Sequence, residues 1–307
     1  MEAIDLFAGA GGFTEGARQA GVKVVWAANH WPLAVEFHST NHPDTIHACQ
    51  DLRQTNWSTV PHHDLLLASP SCTGHTPARG KEKPHHDEAR STAWAVVDCA
   101  EYHRPEYGVV ENVPAFLRWS LYSVWADAMR RLGYAVSPHI VDAADHGVPQ
   151  NRVRVFIVLS RSKSPIVLKL PHREHRPFRS IVEWDKHAWS PIAAVGRRPR
   201  AEATLRRIAA GRADFGDCFV MPYYSDGSGL TGRSIDRPIG TFSTKARWAI
   251  VRADEMRMVQ PREVAAGMTF PKTYTLPHNK AVANMMLGNA VAPKVARDIL
   301  CALQKVA

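Results

Sequence analysis

Ala3-Ile4-Asp5-Leu6-Phe7-Ala8-Gly9-Ala10-Gly11-Gly12 is the stretch whose reading decides the fold. A short apolar strand, Ala3–Phe7, runs straight into a glycine-rich turn. Glycines there let the backbone adopt positive φ and approach a ligand closely, because no Cβ intervenes. The residues after it, Thr14–Ala20, read as a helix. Outward from this unit the pattern repeats. Lys23–Ala28 reads as a strand and Pro32–Thr40 as a helix; Leu65–Ala68 is a third apolar run, followed by a helix at Thr92–Tyr102. Tyr107–Val110 is a fourth strand ending at Glu111-Asn112, Ser123–Leu132 a helix closed by Gly133, and Val153–Leu159 a late β-rich run. Strands alternating with helices at this spacing predict an α/β domain with a parallel, doubly wound sheet. Ligands of such sheets bind outside the carboxyl ends of the strands. Gly9, Cys72 and Glu111 each follow directly on a strand, so they are expected to meet at one rim.

From about Pro165 the chain changes character. Pro, Arg, Trp and Gly become common, periodicity weakens, and Gly227–Gly232 looks like a loop. A smaller second domain over 163–282 is expected, with 1–162 and 283–307 forming the larger one. Ala292–Val306 regains a helical pattern, with Pro293 suited to a first helical turn. The formal net charge is +9. Ten basic side chains against four acids lie between Arg173 and Arg212, a surplus of six in that segment alone. A polyanion partner is the first reading of that surplus.

Several classes are disfavoured. No stretch approaches the roughly 20 apolar residues that span a bilayer. The opening MEAIDLFAGAGG lacks a charged then apolar leader, so no secretion signal is expected. Five scattered cysteines with no CxxC pair argue against a disulfide framework or a zinc site and for a reducing cytoplasm. There is no phosphate loop of the G-x-x-x-x-G-K-[ST] type, which makes an NTPase a poor fit.

Four further features can carry chemistry. Pro70-Ser71-Cys72-Thr73-Gly74 places a thiol in a turn after a strand. Read alone, Cys72 is a small buried hydrophobe or a nucleophile, and a helix following it would favour the thiolate. Glu111-Asn112-Val113 puts a carboxylate at the end of the next strand, where it acts on substrate or merely meets a helix N-terminus. Gln150-Asn151-Arg152-Val153-Arg154 alternates long polar residues on one face of a strand, either a solvent-facing edge or cations aimed at carboxylates and ligand acceptors. Gly288–Pro293 (GNAVAP) comes last.

In order, DLFAGAGG, PSC, ENV, QNRVR and GNAVAP resemble the motif series of the cytosine-C5 DNA methyltransferases, over nearly the whole chain. The resemblance implies a Rossmann-like S-adenosylmethionine-dependent methyltransferase sheet with a smaller target-recognition domain. It implies S-adenosyl-L-methionine as cofactor, double-stranded DNA as partner, and no metal. A monomeric prokaryotic or phage enzyme at the nucleoid is the expected setting. Cys72 would be the nucleophile that adds to C6 of a flipped-out cytosine. Glu111 would protonate N3 and Arg154 would bind O2. Asn112 would help hold the base, while Arg152 and Gln150 would support the catalytic loop and Arg154. For the cofactor, Phe7 would stack on adenine and the backbone of Gly9, Gly11 and Gly12 would approach the methionine part. Trp31 and Asp51 would contact adenine, His30 would sit near the ribose, and Asn289 and Val291 would close the pocket. Arg79, Lys81 and Lys83 fall in a loop that would close on DNA, and Arg197, Arg198 and Arg200 in the recognition region at 165–236. Arg237-Pro238 and Thr241-Phe242 resemble a later supporting motif.

The chain departs from the family pattern at three places. Ser71, Thr73 and His75 replace a proline, a glutamine and an aromatic around Cys72. His30 stands where the family has a glutamate for the ribose hydroxyls, which leaves open a carboxylated sulfonium donor. The recognition region is short. Two rivals remain: an RNA cytosine-C5 methyltransferase acting on transfer RNA, whose Cys-Phe-Thr segment is not found here, and a non-catalytic DNA-binding relative.

Overall fold

The computed structural model describes all residues except 72–89, 163, 194–198 and 224–231. The chain divides into two compact units. The first comprises Met1–Ala143, Val153–His172 and Ala290–Ala307; the second comprises Ala144–Arg152 and Arg173–Asn289. The boundary expected at 283 falls inside a helix of the second unit, Lys280–Asn289.

In the first unit, β1 (Glu2–Leu6), β2 (Lys23–Asn29), β3 (Ile46–Cys49), β4 (Leu65–Ala68), β5 (Tyr107–Asn112), β6 (Ala135–Asp142) and β7 (Val153–Ser160) form one sheet. Its order is β3-β2-β1-β4-β5-β7-β6. The strands from β3 to β5 are parallel. β7 runs antiparallel to both β5 and β6, so the sheet is not wholly parallel as expected. β4, Leu-Leu-Leu-Ala, is buried throughout, as a central parallel strand covered on both faces must be. The chain passes from β1 to β2 on one side and returns to β4 on the other, so the topological switch point lies between the carboxyl ends of β1 and β4.

The flanking helices are α1 (Gly12–Gln19), α2 (Pro32–Asn41), α3 (Trp94–His103) and α4 (Tyr122–Arg131). The core between sheet and helices holds Ile4, Leu66, Val96, Phe116, Trp125 and Ile157, all fully buried. In the second unit, α5 (Glu202–Phe215) packs beside a sheet of β8 (Ser190–Pro191), β9 (Cys218–Pro222), β10 (Arg233–Ser234), β11 (Trp248–Arg252) and β12 (Glu255–Met258), ordered β10-β9-β11-β12-β8. Two helices follow, α6 (Pro261–Gly267) and α7 (Lys280–Asn289). The chain then returns to the first unit as α8 (Pro293–Leu303), with proline at its first position as expected.

α1 and α8 come unusually close. A Cβ built on Gly12 would lie 2.0 Å from the Val291 carbonyl oxygen, and one on Gly16 would lie 2.4 Å from the Ala296 Cβ. The glycines of the opening motif therefore serve helix packing as well as the turn.

Candidate active site

The turn after β1 is bent into an uncommon shape. Phe7, Gly9 and Gly11 all have positive φ, at 62°, 54° and 79°. For glycine this is cheap. For an aromatic residue it is a local strain of about 1–3 kcal/mol, of the kind that collects at ligand-binding sites. Hydrogen bonds from Ala8 N–H to the Ala28 carbonyl (3.0 Å) and from Gly11 N–H to the Ala8 carbonyl (2.8 Å) hold the bend. The turn thus sits at the switch point, with Phe7, Ala8 and Gly9 half-buried and Ala10, Gly11 and Gly12 buried.

At the ends of β2 and β3 stand the other residues read as cofactor contacts. Trp31 caps α2 and donates its N–H to the Asn29 side chain; His30 beside it is exposed. Asp51 accepts from its own turn at Arg53 N–H, and the Arg53 guanidinium grips the same carboxylate at 2.6 Å. That arginine holds the Asp51 carboxyl below the usual carboxylate range. Arg53 was not anticipated; it engages the carboxylate read as the acceptor for an adenine amine. Val291 is buried in the first unit, whereas Asn289 is exposed and belongs to the second.

The end of β5 carries the clearest chemical pairing. Glu111 is 6% exposed, and its Oε1 lies 3.2 Å from Arg154 Nε on the antiparallel neighbour β7. Asn112, next along, is buried; it donates to the Pro70 carbonyl at 3.1 Å and accepts from Val113 N–H at 2.8 Å. Ser71 N–H in turn donates to Thr92 Oγ1. The chain is therefore held at both Pro70 and Ser71, immediately ahead of Cys72. Cys72, Arg79, Lys81, Lys83, Arg197 and Arg198 lie outside the described residues.

Gln150 and Arg152 correct the reading of QNRVR. They precede β7 rather than lie on it, and neither faces solvent: Gln150 is 0% and Arg152 3% exposed. Gln150 accepts from Phe242 N–H at 2.7 Å. Arg152 donates to the Phe242 carbonyl at 3.2 Å and to the Gly288 carbonyl at 2.9 Å. Both residues clamp the Ala144–Arg152 arm inside the second unit, apart from the unit holding Glu111 and Arg154. Arg200 is likewise engaged, donating to the Pro191 carbonyl at 2.9 Å.

One polar chain behind the turn was missed. Asp5 is fully buried, accepts from Thr14 Oγ1 at 2.8 Å, and has one oxygen without a partner among the described residues. Burial pushes its carboxyl up to about 7. Thr14 Oγ1 also lies 3.0 Å from His38 Nε2, and His38 Nδ1 lies 2.7 Å from His47 Nε2. The available signal was an aspartate inside an otherwise apolar strand.

The family model for C-5 cytosine-specific DNA methylases matches residues 1–208 and 211–305. The chain belongs to that family. It is similar to the Type II methyltransferase M.HhaI of Haemophilus parahaemolyticus, 29% identical over 308 positions covering 96% of this chain and 92% of the relative. M.DsaV of Dactylococcopsis salina is 24% identical over 325 aligned positions, covering 97% and 84%. M.AgeI of Thalassovita gelatinovora reaches 34%, over 51% of this chain but only 39% of that relative's length. In fold, the chain is similar to a mutant of Spodoptera frugiperda DNMT2 (TM-score 0.74, 18% identical, 99% of both chains). The Dnmt2 methyltransferase of S. pombe is also similar, with a TM-score of 0.71, 18% identity and coverage of 100% of this chain and 99% of that one. As a cytosine-C5 DNA methyltransferase family member, the chain has the α/β methyltransferase sheet its motifs implied. Among the described residues no helix is long and apolar enough to cross a membrane, and no cluster of three metal-ligating side chains occurs.

Proposed function

We propose that the chain methylates C5 of cytosine in duplex DNA, with Cys72 as nucleophile, Glu111 as proton donor and Arg154 as the cation on the cytosine carbonyl. One observation carries this reading: Glu111 and Arg154 stand side by side at the strand ends, 3.2 Å apart. Cytosine presents N3 and O2 as adjacent acceptors on one edge. A carboxyl group that donates to N3 and a guanidinium that donates to O2 match that edge as a pair. Asn112 supports the placement of Cys72 by tying down Pro70, two residues before it.

The Cys72 thiolate forms a bond to C6 while Glu111 gives its proton to N3, which spares the ring from carrying a full negative charge. Arg154 offsets charge growing on O2. S-adenosylmethionine, when bound, supplies the electrophilic methyl group that C5 takes. The C5 proton is then lost, N3 gives up its proton, and the C6–S bond breaks to restore the ring and the thiolate. The cytosine must leave the base stack for C6 to be reached.

The turn at Phe7–Gly12 fits the donor, since its positive-φ backbone lies at the switch point and Phe7, Ala8 and Gly9 are only half-buried there. Phe7 and Trp31 would flank the adenine, and Gly9 and Gly11 would let the backbone approach the amino-acid part. Asp51 would accept from the adenine amine with Arg53 swung aside or sharing the carboxylate. Family membership and relatives named methyltransferases give no support to a carboxylated donor at His30, nor to an RNA substrate. Gln150 and Arg152 would act by holding the second unit together.

Duplex DNA synthesised with 5-fluorocytosine tests the reading, because the fluorine cannot leave as a proton does. Wild type with S-adenosylmethionine is expected to form a covalent protein–DNA adduct that survives denaturation. Cys72→Ser is expected to form none. An adduct surviving in Cys72→Ser would overturn the assignment.

A further inference from the structure

Asp5, Thr14, His38 and His47 come from β1, α1, α2 and β3, and together they form one unbroken hydrogen-bonded line. Thr14 Oγ1 lies 2.8 Å from Asp5 Oδ2 and 3.0 Å from His38 Nε2, and His38 Nδ1 lies 2.7 Å from His47 Nε2. One end is fully buried at Asp5; the other reaches half-buried His47. A hydroxyl and an imidazole can each donate and accept, so the line has two polarities. With Asp5 ionised, every proton points inward: His47 donates to His38, His38 to Thr14, and Thr14 to Asp5. With Asp5 protonated, every donor is reversed. The two states differ by one proton, which enters or leaves at His47.

The line borders the turn that follows β1. His38 and His47 line a narrow recess together with Ala8, Gly9, Ala28 and Asn29. Asp5 stands two residues before Phe7, where positive φ begins. The charged groups packed around the line are engaged elsewhere. Glu15 of α1 is held by Arg18 at 2.8 Å, and Asp298 of α8, the helix against α1, by Arg297 at 2.8 Å. Lys23 of β2 pairs with Glu2, and β4 is apolar throughout. His42, whose ring lies 4.8 Å from that of His38, is kept neutral by burial. At the rim, Asp51 is gripped by Arg53 and Glu111 by Arg154. Asp5 alone among the described carboxylates has a buried oxygen with no partner. Burial favours its protonated form, with a value of about 7.

A sulfonium donor carries one positive charge more than the thioether left after transfer. In a dry interior such a charge is weakly screened, and it favours ionisation of a nearby carboxyl. We propose that Asp5 is a concealed counter-charge that ionises when S-adenosylmethionine binds, its proton leaving through Thr14, His38 and His47, a role that rests on that compound being the donor. The Asp5 O–H bond breaks as its proton passes to Thr14 Oγ1. The Thr14 hydroxyl proton passes to His38 Nε2, the His38 Nδ1 proton to His47 Nε2, and His47 releases its other ring proton to water. Nothing is oxidised, and every residue but Asp5 ends neutral. When the thioether replaces the sulfonium, the same line returns a proton to Asp5, so donor and product are held by differently charged sites.

Calorimetric titration of the full chain in buffers of different ionisation enthalpy counts the protons released. At pH 6.5, S-adenosylmethionine is expected to release about half to one proton more than S-adenosylhomocysteine, because Asp5 is mostly protonated there before binding. The ratio of the two affinities is expected to move toward the donor by about three- to tenfold between pH 5.5 and 6.5. Asp5→Asn is expected to remove both effects. His47→Gln keeps a partner for His38 but cannot pass a proton on. In stopped flow with a pH indicator it is expected to release the same number about tenfold or more slowly, since the proton must wait for local opening of the core. Infrared difference spectra of wild type need no variant: the band of a protonated carboxyl is expected to vanish with the donor and persist with the product. Equal release by both ligands, release unchanged in Asp5→Asn, or a carboxyl band that persists with the donor would each overturn Asp5 as the counter-charge. Release as fast in His47→Gln as in wild type would overturn the route. Binding of neither ligand would instead overturn the assignment of the donor.

Discussion

Glu111 and Arg154 illustrate how two side chains from distant parts of the sequence become one chemical group. β5 ends at Asn112 and β7 begins at Val153, and their antiparallel pairing sets Asn112 opposite Val155. Glu111 and Arg154 are therefore diagonal neighbours across the ladder, close enough for side chains to meet. Glu111→Gln tests the assigned role with little change of shape, since the amide keeps an acceptor toward Arg154 but has no acidic proton for N3. Methyl transfer under single-turnover conditions is expected to fall by about 10²–10⁴, the usual contribution of a positioned general acid. DNA binding, measured in the same buffer without donor, is expected to stay within about threefold, because general acid catalysis acts on the transition state and not on binding. A rate loss under tenfold would remove Glu111 from the reaction.

The contact between α1 and α8 shows what the glycine motif does at the level of elements. Gly12 begins α1, and the Val291 carbonyl fills the place where its side chain would be, 2.0 Å from an ideal Cβ. The neighbour is backbone, so it cannot rotate away. Gly12→Ala is expected to force the helices apart and destabilise the first unit by about 1–3 kcal/mol, the usual range for overpacking. Thermal unfolding with and without S-adenosylmethionine would show both a lower midpoint and a smaller stabilisation by donor, because the displaced helix carries the turn with it. A midpoint equal to wild type would show that the contact yields freely. The glycine turn, β1, β2, β4, β5 and the helices between them were legible because buried parallel strands are continuous apolar runs and their helices have a clear period. β3 and β6 were not. β3 has no fully buried residue, and β6 alternates poorly and carries Pro138 at the sheet's edge, where a missing N–H is tolerated. Gln150 and Arg152 were misplaced for a different reason. Their partners at Phe242 and Gly288 lie 90 to 136 residues away, so no local pattern reports that they are clamps.

At the scale of the whole molecule, a set of buried titratable groups in the first unit makes its stability depend on pH. Burial holds His42 and His63 down to about 4 and His38 well below its ordinary value. Burial also raises Asp5 to about 7. Between about pH 4 and 6.5 the unfolded chain binds protons on the three histidines and none on Asp5, while the folded chain keeps the histidines neutral and Asp5 protonated. The unfolded state then holds about two more protons in this set, so stability rises with pH by on the order of 2–3 kcal/mol per unit. The histidine contribution is fully present above pH 6.5 and is lost as pH falls toward 4. Asp5 has the opposite sign: its contribution is fully present below the ordinary carboxyl value of 3.8, declines as pH rises from there, and is gone above about 7. Wild type is therefore expected to gain stability steeply as pH rises to about 6.5 and to level off above about 7. Asp5→Asn keeps an acceptor for Thr14 Oγ1 but cannot ionise. It is expected to steepen the loss below pH 6 by about one proton, with the two profiles running parallel above about pH 7.5. Urea unfolding at half-unit steps from pH 4.5 to 8 measures both slopes. A wild-type profile flat below pH 6.5 would show that the histidines are not held neutral, and profiles for wild type and Asp5→Asn that run parallel over the whole range would show that the carboxyl in β1 is ionised in the folded protein.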